Sequence, residues 1–517
     1  MRAMLAACAV VLAACSPAST YDVEEKSIAQ LQADMTAGVV TSEQLAAAYL
    51  ARIEAIDENG PALNSVLSLN PQALAQARAL DEERAAGRVR GPLHGVPILV
   101  KDNIETADHA TTAGSLALEE NRTERDAPLI ARLREAGAVI LGKTNLSEWA
   151  NIRSMHSISG WSAVGGLTRN PYALDRNACG SSSGSGAAGA ASLAAVTIGT
   201  ETDGSIVCPA SVNGLVGLKP TVGLISRTHV IPISHTQDTA GPMGRAVRDV
   251  ALTLTAMAGS DPADPATMRA NEMRADYAAR LDADALNGRR IGVLRPMAGF
   301  HPGVDARFEE ALAQLRAAGA ELVEINAPPP ALDAIGADEF TILMAELKSD
   351  LDAYLASTPA SVQARTLADV VQFNRDTPEE LALFGQDLFE RAAASAGAED
   401  PAYRAAIARA PVAARQVLDG LLTAHGVDAL VAPTTGPAWV TDVVLGDHYV
   451  GGGASTLPAV AGYPHLTVPM GLVQGLPVGL SFIGPAWSEA ELLSFGFAYE
   501  SRANARVRPT YAPSAPR

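Results

Sequence analysis

The chain has 517 residues, of which 48% are hydrophobic, and its formal net charge at pH 7 is −18. This length and apolar content suffice for a large buried core, and the charge excludes the basic surface typical of nucleic-acid binding. Only five of its 39 basic residues are lysines. A lysine can lose its proton in a protein whereas an arginine cannot, so a lysine inside an apolar segment of this chain suggests chemistry.

The first 14 residues have the pattern of an export signal. A positively charged N-terminus is followed by an apolar run over residues 5–14, which is too short to span a bilayer as a helix. The run ends in LAA before Cys15, which resembles the lipobox of bacterial lipoproteins. We therefore expect residues 1–14 to be a lipoprotein signal peptide, Cys15 to carry lipid and 15–26 to be a linker. The protein is then exported to the bacterial cell envelope and lipid-anchored, facing the periplasm.

From residue 27 onward, helical and strand patterns alternate. Thr41 to Gln44 form a capping box before an amphipathic helix, and residues 96–100 are predicted to be a buried strand. A helix, a glycine and a strand follow one another at 129–141 and again at 312–325, and 428–432 is another strand. This alternation predicts an α/β fold with a largely parallel or mixed sheet, in one domain over 27–505 with a tail at 506–517.

Besides Cys15, two cysteines remain after the predicted signal, Cys179 and Cys208. Two are too few for a disulfide framework, and no CxxC pair or histidine-rich segment indicates a zinc site. We predict that both are small packing residues.

Residues 180–186 (GSSSGSG) allow three interpretations. The first is a dinucleotide loop, because residues 184–189 fit GxGxxG and Asp203 follows at a suitable distance. The second is a nucleophile elbow, with Ser182 as the nucleophile and Asp428 and His465 as partners. Both motifs require a preceding strand, but residues 170–179 are polar and contain proline. No pattern around Asp428 or His465 distinguishes them as catalytic.

The third interpretation includes more of the chain. Small residues after the serine cluster predict a closely packed helix, whose N-terminus favours developing negative charge. After an apolar run, a turn ends in Gly204 and Ser205. Successive N–H groups around one hydroxyl are the geometry of an oxyanion hole beside a nucleophile. Lys101, at the end of the strand at 96–100, completes this candidate site.

The motifs together resemble the amidase signature family over nearly all of the mature chain. They are residues 95–103 (GVPILVKDN), 180–186, 199–209 (GTETDGSIVCP), 214–221 (GLVGLKPT) and 458–464 (PAVAGYP). Ser181 and Ser205 stand 24 positions apart, which is the family's spacing. Residues 202–205 and 237–242 are most similar to bacterial peptide amidases, which hydrolyse C-terminal peptide carboxamides. Glu201, Asp203 and Val207 depart from the pattern of many members, so substrate preference is not transferred from fatty-acid or amidotransferase members.

The resemblance implies a large mixed twisted sheet covered by helices on both faces, and no metal or organic cofactor. It also implies roles for individual residues. Ser205 is the nucleophile that forms an acyl-enzyme, and Lys101 is the neutral base. Ser181 relays the proton between them, and the peptide bond that joins it to Gly180 is cis. Ser182 orders Lys101 and the loop, and the N–H groups of Thr202, Asp203, Gly204 and Ser205 hold the oxyanion.

The function expected from this resemblance is hydrolysis of carboxamide C–N bonds, on peptide or small carboxamides, with release of ammonia. We expect the protein to bind an amide substrate and no nucleic acid, and to contact the membrane only through the N-terminal lipid. One alternative is a subunit of the amidotransferase type that works on aminoacyl-tRNA, which the export signal disfavours because tRNA is cytosolic. The other is a nonenzymatic peptide-binding envelope lipoprotein on the same scaffold, which the intact triad disfavours.

Overall fold

The computed structural model describes residues 21–516, so the predicted signal peptide and Cys15 lie outside the described residues. The strands are β1 (Val66–Leu69), β2 (Pro97–Lys101), β3 (Val139–Thr144), β4 (Trp161–Ser162), β5 (Gly166–Leu167), β6 (Val196–Glu201), β7 (Val216–Lys219), β8 (Thr239–Gly244), β9 (Arg290–Leu294), β10 (Glu321–Ile325), β11 (Ala429–Pro433), β12 (His465–Val473) and β13 (Leu476–Ile483).

The α-helices are α1 (Ile28–Thr36), α2 (Ser42–Ile53), α3 (Ala73–Ala85), α4 (Pro128–Glu135), α5 (Ser183–Ala190), α6 (Val207–Val212), α7 (Val247–Met257), α8 (Ala270–Met273), α9 (Pro302–Ala317), α10 (Leu332–Ala356), α11 (Leu367–Asp376), α12 (Asp387–Ala393), α13 (Pro401–His425), α14 (Thr456–Ala461) and α15 (Glu489–Ala503). Within residues 21–516, no helix combines the length and apolar character needed to cross a membrane.

Eleven strands form one sheet in the order β1-β3-β2-β6-β8-β7-β12-β13-β11-β9-β10. β2 pairs in parallel with both β3 and β6, and β9 pairs in parallel with β10 and β11. The remaining neighbours, including β6 with β8 and β12 with β13, are antiparallel. The sheet is therefore mixed, and the predicted α/β fold is confirmed.

The strand β6 illustrates how helices cover both faces of the sheet. Val196 lies beside α7, because its Cγ2 and that of Val250 lie 3.5 and 3.4 Å from the point where a Cβ atom on Gly244 would stand. The next residue, Thr197, points the other way, and its Oγ1 donates a hydrogen bond of 2.8 Å to the carbonyl of Ser185 in α5. Because successive side chains of a strand alternate between faces, α5 and α7 lie on opposite sides of the sheet.

The tight approach of α5 to the sheet explains its composition of glycine, alanine and serine. A Cβ atom on Gly184 would lie 2.3 Å from the carbonyl oxygen of Ser65, and one on Gly199 of β6 would lie 2.7 Å from Ser182 Oγ. Larger residues at these two positions would push the serine cluster away from β6. The small residues therefore hold the N-terminal end of α5 against the ends of β2 and β6.

The prediction that the two cysteines only fill space was wrong, because Cys179 and Cys208 form a disulfide. The bond joins the residue before Gly180 to helix α6, three positions after Ser205. It closes a loop over 29 positions, which in a chain-entropy model destabilises the unfolded chain by about 3–4 kcal/mol. The disulfide therefore ties together the two segments that carry the predicted serines.

Candidate active site

Lys101 is the last residue of β2 and is fully buried. Its Nζ donates hydrogen bonds to Ser181 Oγ at 2.7 Å and to Thr200 Oγ1 at 2.8 Å. The structure thus brings together two of the three residues that the resemblance assigns to catalysis, although they are 80 positions apart in the chain.

Burial lowers the pKa of Lys101 to about 7, while the more distant carboxyl groups of Asp238 and Glu201 act to raise it. Desolvation disfavours the charged ammonium, so the amine is poised to be neutral near physiological pH. A buried lysine with this pKa can accept a proton, which a lysine on the surface at neutral pH cannot do.

Ser181 and Ser182 lie at the start of α5. The Gly180–Ser181 peptide bond is cis, as the resemblance implies. Ser181 is 1% exposed, and its carbonyl accepts a hydrogen bond from the N–H of Ser147. Ser182 Oγ donates to the carbonyl of Thr200 at 3.0 Å and accepts from the N–H of the same residue at 3.2 Å. Ser182 therefore reaches Lys101 only through Thr200, which both residues contact.

Residues 202–205 form the turn between β6 and α6, and its backbone N–H groups are free of intramolecular partners. Within residues 21–516, no N–H of this turn donates a hydrogen bond, whereas the next two N–H groups donate to Glu201 Oε2 at 2.8 and 3.1 Å. Gly204 has a φ of +81°, a conformation that other residues adopt at a cost. A row of unpaired donors beside a serine can bind an oxyanion.

Ser205 is partly exposed, unlike Ser181 and Ser182. The backbone of Ser205 is linked to the serine cluster, since the N–H of Ser182 donates a hydrogen bond to the carbonyl of Ser205 at 3.2 Å. Among the described residues, no hydrogen bond joins the Ser205 hydroxyl to Ser181 or to any other group. Catalytic hydrogen bonds are often long or misaligned without substrate, so the geometry leaves Ser205 available to a ligand.

Sequence patterns did not indicate several residues that support this site. Asn103 Nδ2 donates to Thr200 Oγ1 at 3.0 Å, next to the bond from Lys101. Asp238 Oδ1 accepts from Thr202 Oγ1 at 2.6 Å and so anchors the start of the turn. Gln237 Nε2 donates to the carbonyl of Thr202 at 3.3 Å. The 237–242 motif was the available signal, but a motif alone does not show which atoms its residues contact.

The two other interpretations of residues 180–186 are wrong. In the part of the chain that the structure describes, no strand leads directly into this segment, because residues 168–182 contain none, and both motifs require one. Asp428 accepts a hydrogen bond from the N–H of Arg290, and His465 Nε2 is 2.6 Å from Ser481 Oγ. Neither group bonds to Ser182, whose hydroxyl is buried and engaged with Thr200.

A cleft of about 540 Å³ opens over the turn and the cis peptide. Its lining includes Gly180, Asp203 and Gly204, together with Trp439 and Tyr449. No lysine, arginine or histidine lines it among the described residues. This cleft, which we call the outer cleft, gives a ligand access to the unpaired N–H groups.

Comparisons with known proteins place this geometry in a family. The Amidase family model matches residues 44–493. A "Probable amidase" from Arabidopsis thaliana is 38% identical, with 95% of this chain and 93% of that protein covered. One component of the glutamyl-tRNA(Gln) amidotransferase from Symbiobacterium thermophilum is 37% identical, with 92% of this chain and 96% of that protein covered.

A solved structure agrees with these sequence matches. The native peptide amidase from Stenotrophomonas maltophilia is 52% identical and superposes with a TM-score of 0.88, covering 94% of this chain and 99% of that one. The chain belongs to the amidase family, its fold is that of this family, and it is an enzyme that hydrolyses amides. The resemblance to bacterial peptide amidases inferred from the sequence is confirmed.

Proposed function

We propose that the protein hydrolyses carboxamides through an acyl-enzyme on Ser205, with Ser181 and Lys101 completing a Ser–Ser–Lys triad. The observation that carries this proposal is the hydrogen bond from a buried Lys101 to Ser181, next to a turn of unpaired N–H groups that ends at Ser205. A serine nucleophile needs a base within reach and donors for the developing negative charge. In this proposal Lys101 acts as the base through Ser181, and the N–H groups of the turn are the donors.

The reaction begins with the substrate carbonyl oxygen at the N–H groups of residues 202–205. Ser205 Oγ attacks the carbonyl carbon, its proton passes to Ser181 Oγ, and the Ser181 proton passes to neutral Lys101 Nζ. The tetrahedral intermediate then breaks its C–N bond, while Lys101 returns a proton through Ser181 to the leaving nitrogen. Ammonia leaves, and water attacks the acyl-enzyme by the same proton route, releasing a carboxylic acid and free Ser205.

Peptide or amino-acid carboxamides are the proposed substrates. The similarity to a peptide amidase supports this choice. The outer cleft also has no basic residue that would attract a free carboxylate, so an uncharged carboxamide terminus suits it better. The similarity to an amidotransferase subunit makes a role on aminoacyl-tRNA the second candidate function for this chain. The net charge of −18 opposes that role, because the RNA backbone is also negative.

A substrate comparison tests the proposed chemistry. With purified protein, we expect ammonia release from dipeptide amides to exceed release from long-chain fatty amides by on the order of tenfold or more in kcat/KM, since pocket contacts worth 1–3 kcal/mol give such ratios. The methyl esters of the same dipeptides are the control, because their hydrolysis reports the reactivity of the serine nucleophile when no amide bond has to be broken. Equal or faster hydrolysis of fatty amides would contradict the substrate assignment, and glutamine-dependent amidation of glutamyl-tRNA would favour the second candidate.

We also propose that the protein acts in the bacterial cell envelope, held by lipid on Cys15 and facing the periplasm. The lipobox-like sequence motivates this, and the Cys179–Cys208 disulfide supports it because disulfides persist mainly in oxidising compartments. Stable anchoring requires more than one acyl chain.

Mass spectrometry of the mature protein tests the proposed anchor. We expect the first residue to be Cys15 carrying several acyl chains, and a Cys15→Ser variant to appear in the soluble fraction. Retention of residues 1–14, or an unmodified Cys15 at the N-terminus, would contradict the anchor without affecting the amidase chemistry.

A further inference from the structure

A second cavity of about 470 Å³, which we call the inner chamber, lies next to the outer cleft. Gly453 and Thr456 line both cavities, so a ligand bound over the 202–205 turn can extend from one into the other. The walls of the inner chamber are largely apolar. They are formed by Leu294, Met297, Leu332, Leu418, Leu457 and Ile483.

Glu339 of α10 is the buried ionisable group of this chamber. Its side chain lines the cavity while the residue is only 7% exposed, and its one hydrogen bond comes from Gln237 Nε2 to Oε1 at 2.8 Å. Within the described residues, Glu339 has no cationic partner within 4.0 Å, and no lysine, arginine or histidine lines the chamber. The other acidic residue of the lining, Asp333, is exposed at its rim.

Asp203 adds to the negative character of this region. Its Oδ2 accepts a hydrogen bond from Thr456 Oγ1 at 2.8 Å, while its Oδ1 is buried without a partner. Burial and the nearby Asp203 carboxyl raise the pKa of Glu339 to about 8. Without a cation this carboxyl is mostly protonated at pH 7, and a positive group beside it would lower its pKa and favour the ionised form.

We propose that the inner chamber binds a substrate side chain with an aliphatic stem and a cationic end, with Glu339 as the charge partner of that end. This deepens the proposed function and rests on it, because it names the carboxamides that the enzyme prefers. The six apolar residues cover the methylene groups of a lysine- or arginine-like side chain. A purely apolar side chain would leave Glu339 unpaired, and an acidic one would be repelled.

The test compares N-acetyl-lysinamide with N-acetyl-norleucinamide, which has a similar stem but no charge. At pH 8.5 Glu339, with its pKa of about 8, is mostly ionised, and the substrate amine, with a pKa of about 10.4, keeps its charge. We expect kcat/KM for the lysine substrate to be greater by on the order of 10- to 100-fold, the range for a hydrogen bond to a charged group. In Glu339→Gln this ratio should fall to about 1.

Asp338→Asn is the matched control, since Asp338 is the preceding residue of α10 but pairs with Arg409 at 2.7 Å instead of lining the chamber. It should keep the wild-type ratio. A wild-type ratio near 1, or a ratio that survives in Glu339→Gln, would overturn the proposal while leaving the amidase function intact.

A binding measurement keeps the proposal independent of turnover. By calorimetry, n-butylammonium should bind the wild-type protein at least about tenfold more tightly than 1-butanol, and Glu339→Gln should remove that difference. Equal binding of the two compounds by the wild type would overturn the subsite. Loss of turnover on both amides together with preferential ammonium binding would instead contradict the proposed reaction and support the subsite.

Discussion

Ser205→Ala is expected to lose amide hydrolysis by on the order of 10⁴-fold or more, while its thermal unfolding stays close to wild type. The loss follows from removal of the nucleophile, without which no acyl-enzyme forms. Stability is retained because Ser205 is partly exposed and its hydroxyl makes no hydrogen bond among the described residues. Steady-state ammonia release and a thermal melt measure the two quantities.

Ser182→Ala is the informative comparison for this variant. Ser182 holds the backbone of Thr200 through two hydrogen bonds, so its loss should slow the reaction without removing it. If Ser182→Ala were inactive and Ser205→Ala active, the nucleophile assignment would be wrong.

Lys101→Arg is expected to be as inactive as Lys101→Ala, although it keeps the positive charge. The proposed base must be neutral, and an arginine side chain is not deprotonated in proteins. General-base catalysis contributes about 10²- to 10⁴-fold, so kcat/KM should fall by a factor in this range. Lys101 is fully buried and arginine is larger, so Lys101→Arg could lose activity through disturbed packing. Lys101→Met is the control for this effect, because its side chain is neutral and of similar length, and both its thermal melt and its rate are measured.

The pH dependence gives a second reading of the same residue. Lys101 has a pKa of about 7 and acts as a base only when unprotonated. The wild-type kcat/KM should therefore rise with pH through about 7 and fall about tenfold for each unit below it. This limb should be missing from the residual activity of Lys101→Met. An arginine variant with near-normal activity at pH 7 would overturn the base assignment but not the nucleophile.

The sequence predicted the fold well where local patterns dominate. The capping box at Thr41 and Gln44 is present in α2, and the predicted strands at 96–100 and 428–432 match β2 and β11 within one residue at each end. Hydrophobic periodicity and capping act over a few residues, so they can be read directly from the chain. The strand order could not be derived in this way, because β12 and β7 pair across more than 200 residues.

Sequence motifs indicated which residues belong to the candidate site, but not which atoms of these residues are in contact. Lys101, Ser181 and the 202–205 turn were indicated by sequence, whereas the part of Thr200 in linking Lys101 to Ser182 was not. The disulfide was missed because two cysteines 29 positions apart carry no local signal of their proximity. Glu339 was missed because only the tertiary fold brings α10 to the wall of a chamber beside Asp203.

Ser205 is tested most directly as the nucleophile by mapping the residue that reacts with a fluorophosphonate in the wild-type protein. Such reagents modify an activated serine hydroxyl, so peptide mass spectrometry of the digested adduct identifies the nucleophile. We expect a single adduct on Ser205, which forms faster above pH 7 than below it because neutral Lys101 assists the attack. An adduct on Ser182 or Ser181, or no adduct in a protein that hydrolyses amides, would contradict this assignment.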